Sequence, residues 1–368
     1  MKIKFENYDK GFKIVSLALC ECTKEDLLRD EIDFIYVTKE SIVLFPDGQV
    51  LSTDEKIIDE LLGKNDYDAY ELWPDGTLHI CYDNSSIDNY FFVTGKCNSN
   101  CIMCPSPDSA RKKGEMRSVE TLIEIARHIP ISASHLTITG GEPFIVGESI
   151  FDFLRFLKEK YARTEFLILT NGRIFAVDKY AKLLEENIAY NTIIAIPIHG
   201  SKEQIHDKIT QVNNSFVQTL SGIKRLLMLG IRVELRLVVN SLNVNDFDNI
   251  VQLILTEIPD IEYVSVIAME MTGSAHKNRD IVWIPYKKSF ELISDGIFRL
   301  IKNGIDVKLY NFPLCTVDKK YWTLCEKSIS PQKVKFAEVC EKCLMREMCG
   351  GIFAGTYLLE KEELEAIV

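Results

Sequence analysis

From about residue 90 the chain keeps one rhythm, which constrains its fold more than anything else in it. Short apolar runs alternate with longer amphipathic stretches, the pattern of βα units around a parallel sheet. Strands are expected at Tyr90–Thr94, His135–Thr139, Glu165–Leu169, Thr192–Ile198, Arg232–Val239 and Tyr263–Ala268. Helices are expected at Val119–His128, Ser149–Tyr161, Lys179–Glu186, Phe216–Leu229, Asp246–Thr256 and Tyr286–Lys302. Six repeats are too few for a closed eight-fold barrel. The expected class is therefore α/β, a partial (β/α)6 TIM-like barrel over residues 89–305.

Residues 1–88 read as a small strand-rich unit. Phe12–Leu19, Phe34–Phe45 and Thr77–Tyr82 are β-branched and partly alternating, and Asp54–Leu62 suits a helix. Pro46-Asp47-Gly48 and Pro74-Asp75-Gly76 supply turns. In residues 306–368 the βα rhythm stops and a cysteine-rich extension begins.

A net charge of −11, from 54 acidic and 43 basic residues, argues against nucleic-acid binding, which needs a basic surface. No stretch reaches the roughly 18 apolar residues of a membrane span. The first residues carry no apolar core of a signal peptide. The chain reads as cytoplasmic, so its 11 cysteines point to metal or redox chemistry rather than disulfides. Cys20, Cys22 and Cys81 lie on partly apolar segments and read as small buried hydrophobes. The other eight fall into two groups.

Cys97, Cys101 and Cys104 follow the first expected barrel strand with C-x3-C-x2-C spacing. In folds of this kind ligands gather at the C-terminal ends of the strands. A cubane iron–sulfur cluster takes four thiolates, so three would leave one iron open; a zinc site short of one ligand is the alternative. Gly140-Gly141-Glu142-Pro143 ends the second strand. Its glycines let the backbone approach a ligand closely, its carboxylate can receive an ammonium group, and Pro143 fixes the turn. Thr170-Asn171-Gly172 ends the third. In the tail, Cys340-x2-Cys343-x5-Cys349 has the spacing of metal ligands, with Cys315 upstream and Cys325 between. Four thiolates suit zinc or a second cluster alike.

With the three-cysteine loop followed one βα unit later by Gly-Gly-Glu-Pro, the sequence resembles the radical S-adenosylmethionine (SAM) superfamily. The resemblance implies a [4Fe-4S] cluster on Cys97, Cys101 and Cys104 whose open iron is chelated by the SAM amino and carboxylate groups. Gly140, Gly141, Glu142 and Pro143 would hold SAM, with Glu142 on its amino group. One electron would then cleave SAM to a 5′-deoxyadenosyl radical, which abstracts hydrogen from a substrate. Met103 stands where the superfamily often has an aromatic residue, and its thioether could pack on the adenine. Thr170, Asn171, His199, Asn240 and Arg236 fall where further SAM contacts are expected, Arg236 suiting the carboxylate; capping or barrel-lining roles are the alternative. Glu270, past the sixth strand, could face the substrate or serve the structure.

The tail resembles the SPASM and Twitch extensions, which hold auxiliary [4Fe-4S] clusters. That pattern continues Cys-x3-Cys after the third cysteine, but position 353 is Phe. One auxiliary cluster is therefore expected, on Cys315, Cys340, Cys343 and Cys349, with Cys325 as spare.

Residues 75 to 355 further resemble the HxsC-type maturases of His-Xaa-Ser peptide systems. The likeness rests on Asn89-Tyr90-Phe91-Phe92-Val93-Thr94, Leu169-Thr170-Asn171-Gly172-Arg173, Leu309-Tyr310-Asn311-Phe312-Pro313-Leu314-Cys315 and Lys327-Ser328-Ile329-Ser330. It implies a ribosomally made precursor peptide as substrate; the N-terminal unit, most of which lies outside the likeness, is expected to help dock it. It also implies an electron donor such as flavodoxin or ferredoxin, and a second radical SAM maturase as companion. Radical SAM action on a small molecule or a protein side chain is the rival within enzymes, and a non-catalytic zinc- or cluster-binding assembly subunit the rival outside them.

Overall fold

The computed structural model describes residues 3–106 and 108–368. They divide into two compact units, the first formed by Met1–Thr94, Met116–Ile168 and Asn187–Thr192. Its N-terminal part is a six-stranded sheet of β1 (Lys13–Ala18), β2 (Phe34–Val37), β3 (Ile42–Phe45), β4 (Gln49–Ser52), β5 (Ala69–Leu72) and β6 (Leu78–Tyr82), ordered β4-β3-β2-β1-β5-β6. β1 and β2 are parallel, joined through the helix Glu21–Arg29; the other pairs are antiparallel. Alternation drives the burial, with Val15, Leu17, Ile35, Val37 and Leu44 meeting Ile58 and Leu61 of the helix Glu55–Leu62. Asp54 caps that helix by accepting from the Lys56 N–H at 2.8 Å.

Cys20 and Cys22 differ from expectation: both are exposed. The segment turns into a helix at Glu21, and the Cys20 Sγ accepts from the Thr23 N–H at 3.4 Å as its cap. Cys81, on β6, is half-buried.

The same unit holds the parallel strands β7 (Tyr90–Phe92), β8 (His135–Thr139) and β9 (Glu165–Leu169), in register at Tyr90↔Thr137 and His135↔Glu165. The helices Val119–His128 and Ser149–Lys160 connect them. His128 Nδ1 lies 3.0 Å from the buried Ser16 Oγ, and Arg117 pairs with Glu71, so the barrel-type helix and the N-terminal sheet share buried polar contacts.

The second unit is Gly95–Glu115, Leu169–Glu186 and Ile193–Val368. Its parallel strands are β10 (Thr192–Pro197), β11 (Arg232–Val239), β12 (Tyr263–Ala268), β13 (Val307–Tyr310) and β14 (Cys325–Glu326), each paired with the next. β12 is buried along nearly all its length, as parallel strands covered on both faces are. The parallel series thus runs past residue 305, because Val307 and Leu309 present a short buried alternation after the helix Tyr286–Lys302. A small antiparallel pair, β15 (Val334–Lys335) with β16 (Ile352–Phe353), organises the tail. The α/β architecture expected from the sequence is present in both units. Among the described residues no helix is long and apolar enough to cross a membrane.

Candidate cofactor site

The loop after β7 is held by residues far from it in sequence, all within the second unit. The Asn100 and Ile102 N–H groups donate to the Thr210 and Ile209 carbonyls, both at 2.9 Å. Asn278 Nδ2 donates to the Ile102 carbonyl at 2.8 Å, and the Ser274 N–H to the Cys104 carbonyl at 2.9 Å. Arg173 reaches the Asn98 carbonyl at 2.8 Å, Asn171 Nδ2 the Asn98 Oδ1 at 2.7 Å, and Arg111 the Asn100 Oδ1 at 2.7 Å. Gly273 sits at φ +55°, where a Cβ would lie 2.6 to 2.7 Å from the Cys104, Pro105 and Ser106 carbonyl oxygens. With so much of the loop's backbone satisfied by these partners, Cys97, Cys101 and Cys104 are held half-buried, outside any disulfide.

Burial, and then the neighbouring Cys104 and Cys97, push the Cys101 thiol up to about 12. The buried Cys101 thiol resists ionisation unless a cation joins it, and a bound metal deprotonates coordinating thiols outright. Met103 does not stand free beside them: it is buried with Ile209, Met269, Met271 and Ala275.

In the first unit, the Gly-Gly-Glu-Pro turn packs against the end of β7. The Gly141 N–H donates to the Thr94 carbonyl at 2.7 Å. A Cβ on Gly140 would lie 2.5 Å from that same oxygen, which only glycine avoids. Pro143 opens a 3-10 turn, Pro143–Val146, and the buried Glu142 caps it, its Oε1 accepting from the Phe144 N–H at 3.2 Å.

The remaining candidates lie in the second unit. Thr170 Oγ1 accepts from the Gly172 N–H and Asn171 Oδ1 from the Arg173 N–H, both at 3.1 Å, so these side chains shape their own turn. His199 is buried beside His206, and desolvation lowers it to about 3, a neutral imidazole whose Nδ1 has no hydrogen-bond partner. Arg236 Nε stands 3.6 Å from Glu234, itself buried and accepting from Ser265 Oγ at 2.6 Å and Tyr263 OH at 3.1 Å. Asn240 is fully buried and stitches its own bend, donating to the Val238 carbonyl at 3.1 Å and accepting from the Leu242 N–H at 3.0 Å. Glu270 is half-buried, and burial raises its carboxyl.

Residues 91–254 match the radical SAM superfamily. They form a radical SAM domain. The superfamily is one of enzymes, and membership implies a [4Fe-4S] cluster and SAM. A curated relative, Fe-coproporphyrin III synthase of Methanosarcina barkeri, is 24% identical over 219 residues, which is 59% of this chain and 53% of that protein. The chain thus spans about half the length of the curated relative it matches. Among solved structures, Streptococcus suis SuiB bound to the precursor peptide SuiA is similar at 12% identity and TM-score 0.49, over 60% of this chain and 48% of that one. anSMEcpe with bound AdoMet and a Kp18Cys peptide is similar at 15% identity and TM-score 0.47, over 60% and 62% of the two chains.

Beyond the radical SAM domain, Cys315, Cys340, Cys343 and Cys349 line one cavity in the tail. Cys325 is not part of that lining; it sits on β14 with its Sγ 3.8 Å from the Tyr321 carbonyl. Burial pushes Cys315 up to about 11 and Cys325 up to about 12. The Cys349 Sγ accepts from the Leu314 N–H at 3.5 Å and the Gly351 N–H at 3.4 Å. Among the described residues, no three His, Cys, Asp or Glu side chains stand close enough for one metal ion.

Arg173, Arg111, Asn278 and Gly273 hold the cysteine loop, and reading the sequence assigned none of them a role. Arg173 carried a signal, a charge directly after a strand-end Asn-Gly; the other three carried none.

Proposed function

We propose that the chain is a radical SAM peptide maturase with one auxiliary cluster. Cys97, Cys101 and Cys104 hold the catalytic cluster, Glu142 takes the SAM ammonium group, and Cys315, Cys340, Cys343 and Cys349 hold the auxiliary one. When bound, the cluster and SAM together supply a 5′-deoxyadenosyl radical that abstracts hydrogen from the substrate. The chain's own residues fix the thiols, place the substrate and keep water out.

The observation that carries the reading is the three-cysteine loop, whose backbone is tied down by Thr210, Ile209, Ser274 and Asn278 with its three cysteines half-buried. The four tail thiols surround a cavity rather than a point, which suits a four-iron cube better than one tetrahedral zinc. For the substrate, the likeness of residues 75–355 to His-Xaa-Ser maturases favours a ribosomally made peptide. Exposed Phe12 and Trp73, whose rings meet edge-on at 5.6 Å, give the segment 1–88 an apolar patch suited to docking it. The domain limits 1–88, 89–305 and 306–368, a flavodoxin- or ferredoxin-type donor, a companion maturase and a cytoplasmic setting belong to the same reading.

Anaerobic reconstitution tests it. Two clusters give about eight irons per chain, falling to about four when Cys97, Cys101 and Cys104 are all replaced by Ala. Under reduction, SAM should yield 5′-deoxyadenosine, and a His- and Ser-rich peptide encoded nearby should change mass. Substantial zinc with no nucleoside product would overturn the proposal.

One observation favours a second reading, action on a small molecule: the name of the curated relative is that of an iron-porphyrin synthase. The same assay with a coproporphyrin in place of the peptide separates the two, since the true substrate alone is consumed.

A further inference from the structure

The segment after the short helix Tyr357–Glu360 runs back over the tail cysteines. Leu364 and Ile367 line the cavity with Cys315, Cys340, Cys343 and Cys349. The Ile367 N–H donates to the Cys343 Sγ at 3.4 Å, and the Ile367 carbonyl accepts from the Leu344 N–H at 2.8 Å. Glu365 lines the same cavity. The segment is anchored at three further points. Glu360 Oε1 accepts from the Tyr286 N–H at 3.0 Å, Lys287 Nζ lies 3.1 Å from Glu365 Oε1, and Leu364 is buried.

The Cys343 thiol therefore takes a backbone hydrogen bond from this segment, and the segment's apolar side chains wall the cavity. N–H bonds to cysteine sulfurs stabilise the reduced, more negative form of an iron–sulfur cluster and raise its reduction potential, whereas exclusion of solvent works against the added charge. We propose that Leu364–Ile367 is a strap that closes the auxiliary site and sets the potential of what it holds. This rests on the auxiliary-cluster reading above. A strapped site with four protein thiolates has no open iron, so it suits electron transfer and does not bind substrate.

The test uses the full chain with Cys97, Cys101 and Cys104 replaced by Ala, which isolates the auxiliary site. Iron is counted first. Ile367→Pro, which removes the donating N–H, is then compared with Ile367→Ala, which keeps it. Ile367→Pro should move the midpoint potential to a more negative value and speed iron loss to a chelator several-fold, while Ile367→Ala stays near the parent. Amide exchange at Ile367 in the unsubstituted strap should slow when iron is loaded, a readout independent of how the proline variant folds. If the parent binds about four irons but the two variants share one potential, or Ile367 exchange is unchanged by iron, the strap is overturned and the cluster stands. If the parent binds no iron, the auxiliary reading itself falls, and the strap with it.

Discussion

Replacing Gly273 with Ala perturbs the cysteine loop at a point where two costs can be separated. The residue sits at φ +55°, and an ideal Cβ there would lie 2.6 Å from the Cys104 carbonyl and 2.7 Å from those of Pro105 and Ser106. Left-handed backbone costs a non-glycine residue about 1–2 kcal/mol. Forcing a methyl group into packed surroundings adds about 1–3 kcal/mol, toward the upper end here because the obstacles are backbone atoms. Gly273→Ala should therefore lose about 3–5 kcal/mol. Gly230 is the control. It shares the left-handed backbone, at φ +72°, but has nothing within 4 Å of its would-be Cβ. Gly230→Ala should lose only the backbone part, about 1–2 kcal/mol.

Native-state amide exchange at Ser274, whose N–H donates to the Cys104 carbonyl at 2.9 Å, reads the local opening free energy directly. Gly273→Ala should expose that amide far more than Gly230→Ala does, and reconstituted iron should fall in the first variant alone. If both variants lower Ser274 protection equally, the wrapped carbonyls do not constrain the loop and the reasoning is refuted.

Arg173→Ala should cost about 1.5–3 kcal/mol of loop stability, the range for hydrogen bonds to charged groups, and lower iron retention; Arg173→Lys should recover only part, because Arg173 also holds Gln218 at 2.7 Å. Cys325→Ser should leave the auxiliary iron count unchanged, while Cys340→Ser should lose it, as read in the chain lacking the first three cysteines. Burial pushes Glu360 up to about 8, so the folded chain holds a proton there that the unfolded chain releases near the ordinary glutamate value. That contribution is complete below the unfolded pKa and shrinks as pH rises toward about 8, by at most about 1.4 kcal/mol per pH unit. Glu360→Gln should flatten the decline of the urea midpoint between pH 6 and 8, and parallel curves for the two proteins would count against it.

The barrel strands, the two glycines before Glu142 and the cysteine spacings were legible because each is local. A parallel strand buried on both faces announces itself as an apolar run, and a glycine forced by the Thr94 carbonyl sits beside its own strand end. What escaped is decided by distant packing. Asn278 lies 176 residues from the Ile102 carbonyl it binds, and no window of sequence joins them. β4 and β5 are four residues each, too short for periodicity to separate from a turn. Cys20 and Cys22 misled because β1 ends at Ala18 and a helix begins at Glu21, turning both thiols outward. Asn240 is a different case. A polar residue at a strand end suits ligand binding and turn capping alike, and its hydrogen bonds run to its own turn.

The partners of the cysteine loop also say when it acquires its shape. Its backbone is fixed by Arg173, Ile209, Thr210, Ser274 and Asn278, drawn from three separate stretches of the second unit. Closing loops of such length is costly in entropy and is repaid only when the strands β10 to β12 are in place. An isolated peptide carrying the C-x3-C-x2-C run would lack every one of those contacts, so its thiols would be free to take many geometries. A cluster that binds the folded arrangement and not the unfolded one must in turn stabilise the whole second unit by mass action. The three cysteines are thus local as ligands but not as a site: the spacing names the metal chemistry, while residues about 70 to 180 positions away make it a defined pocket.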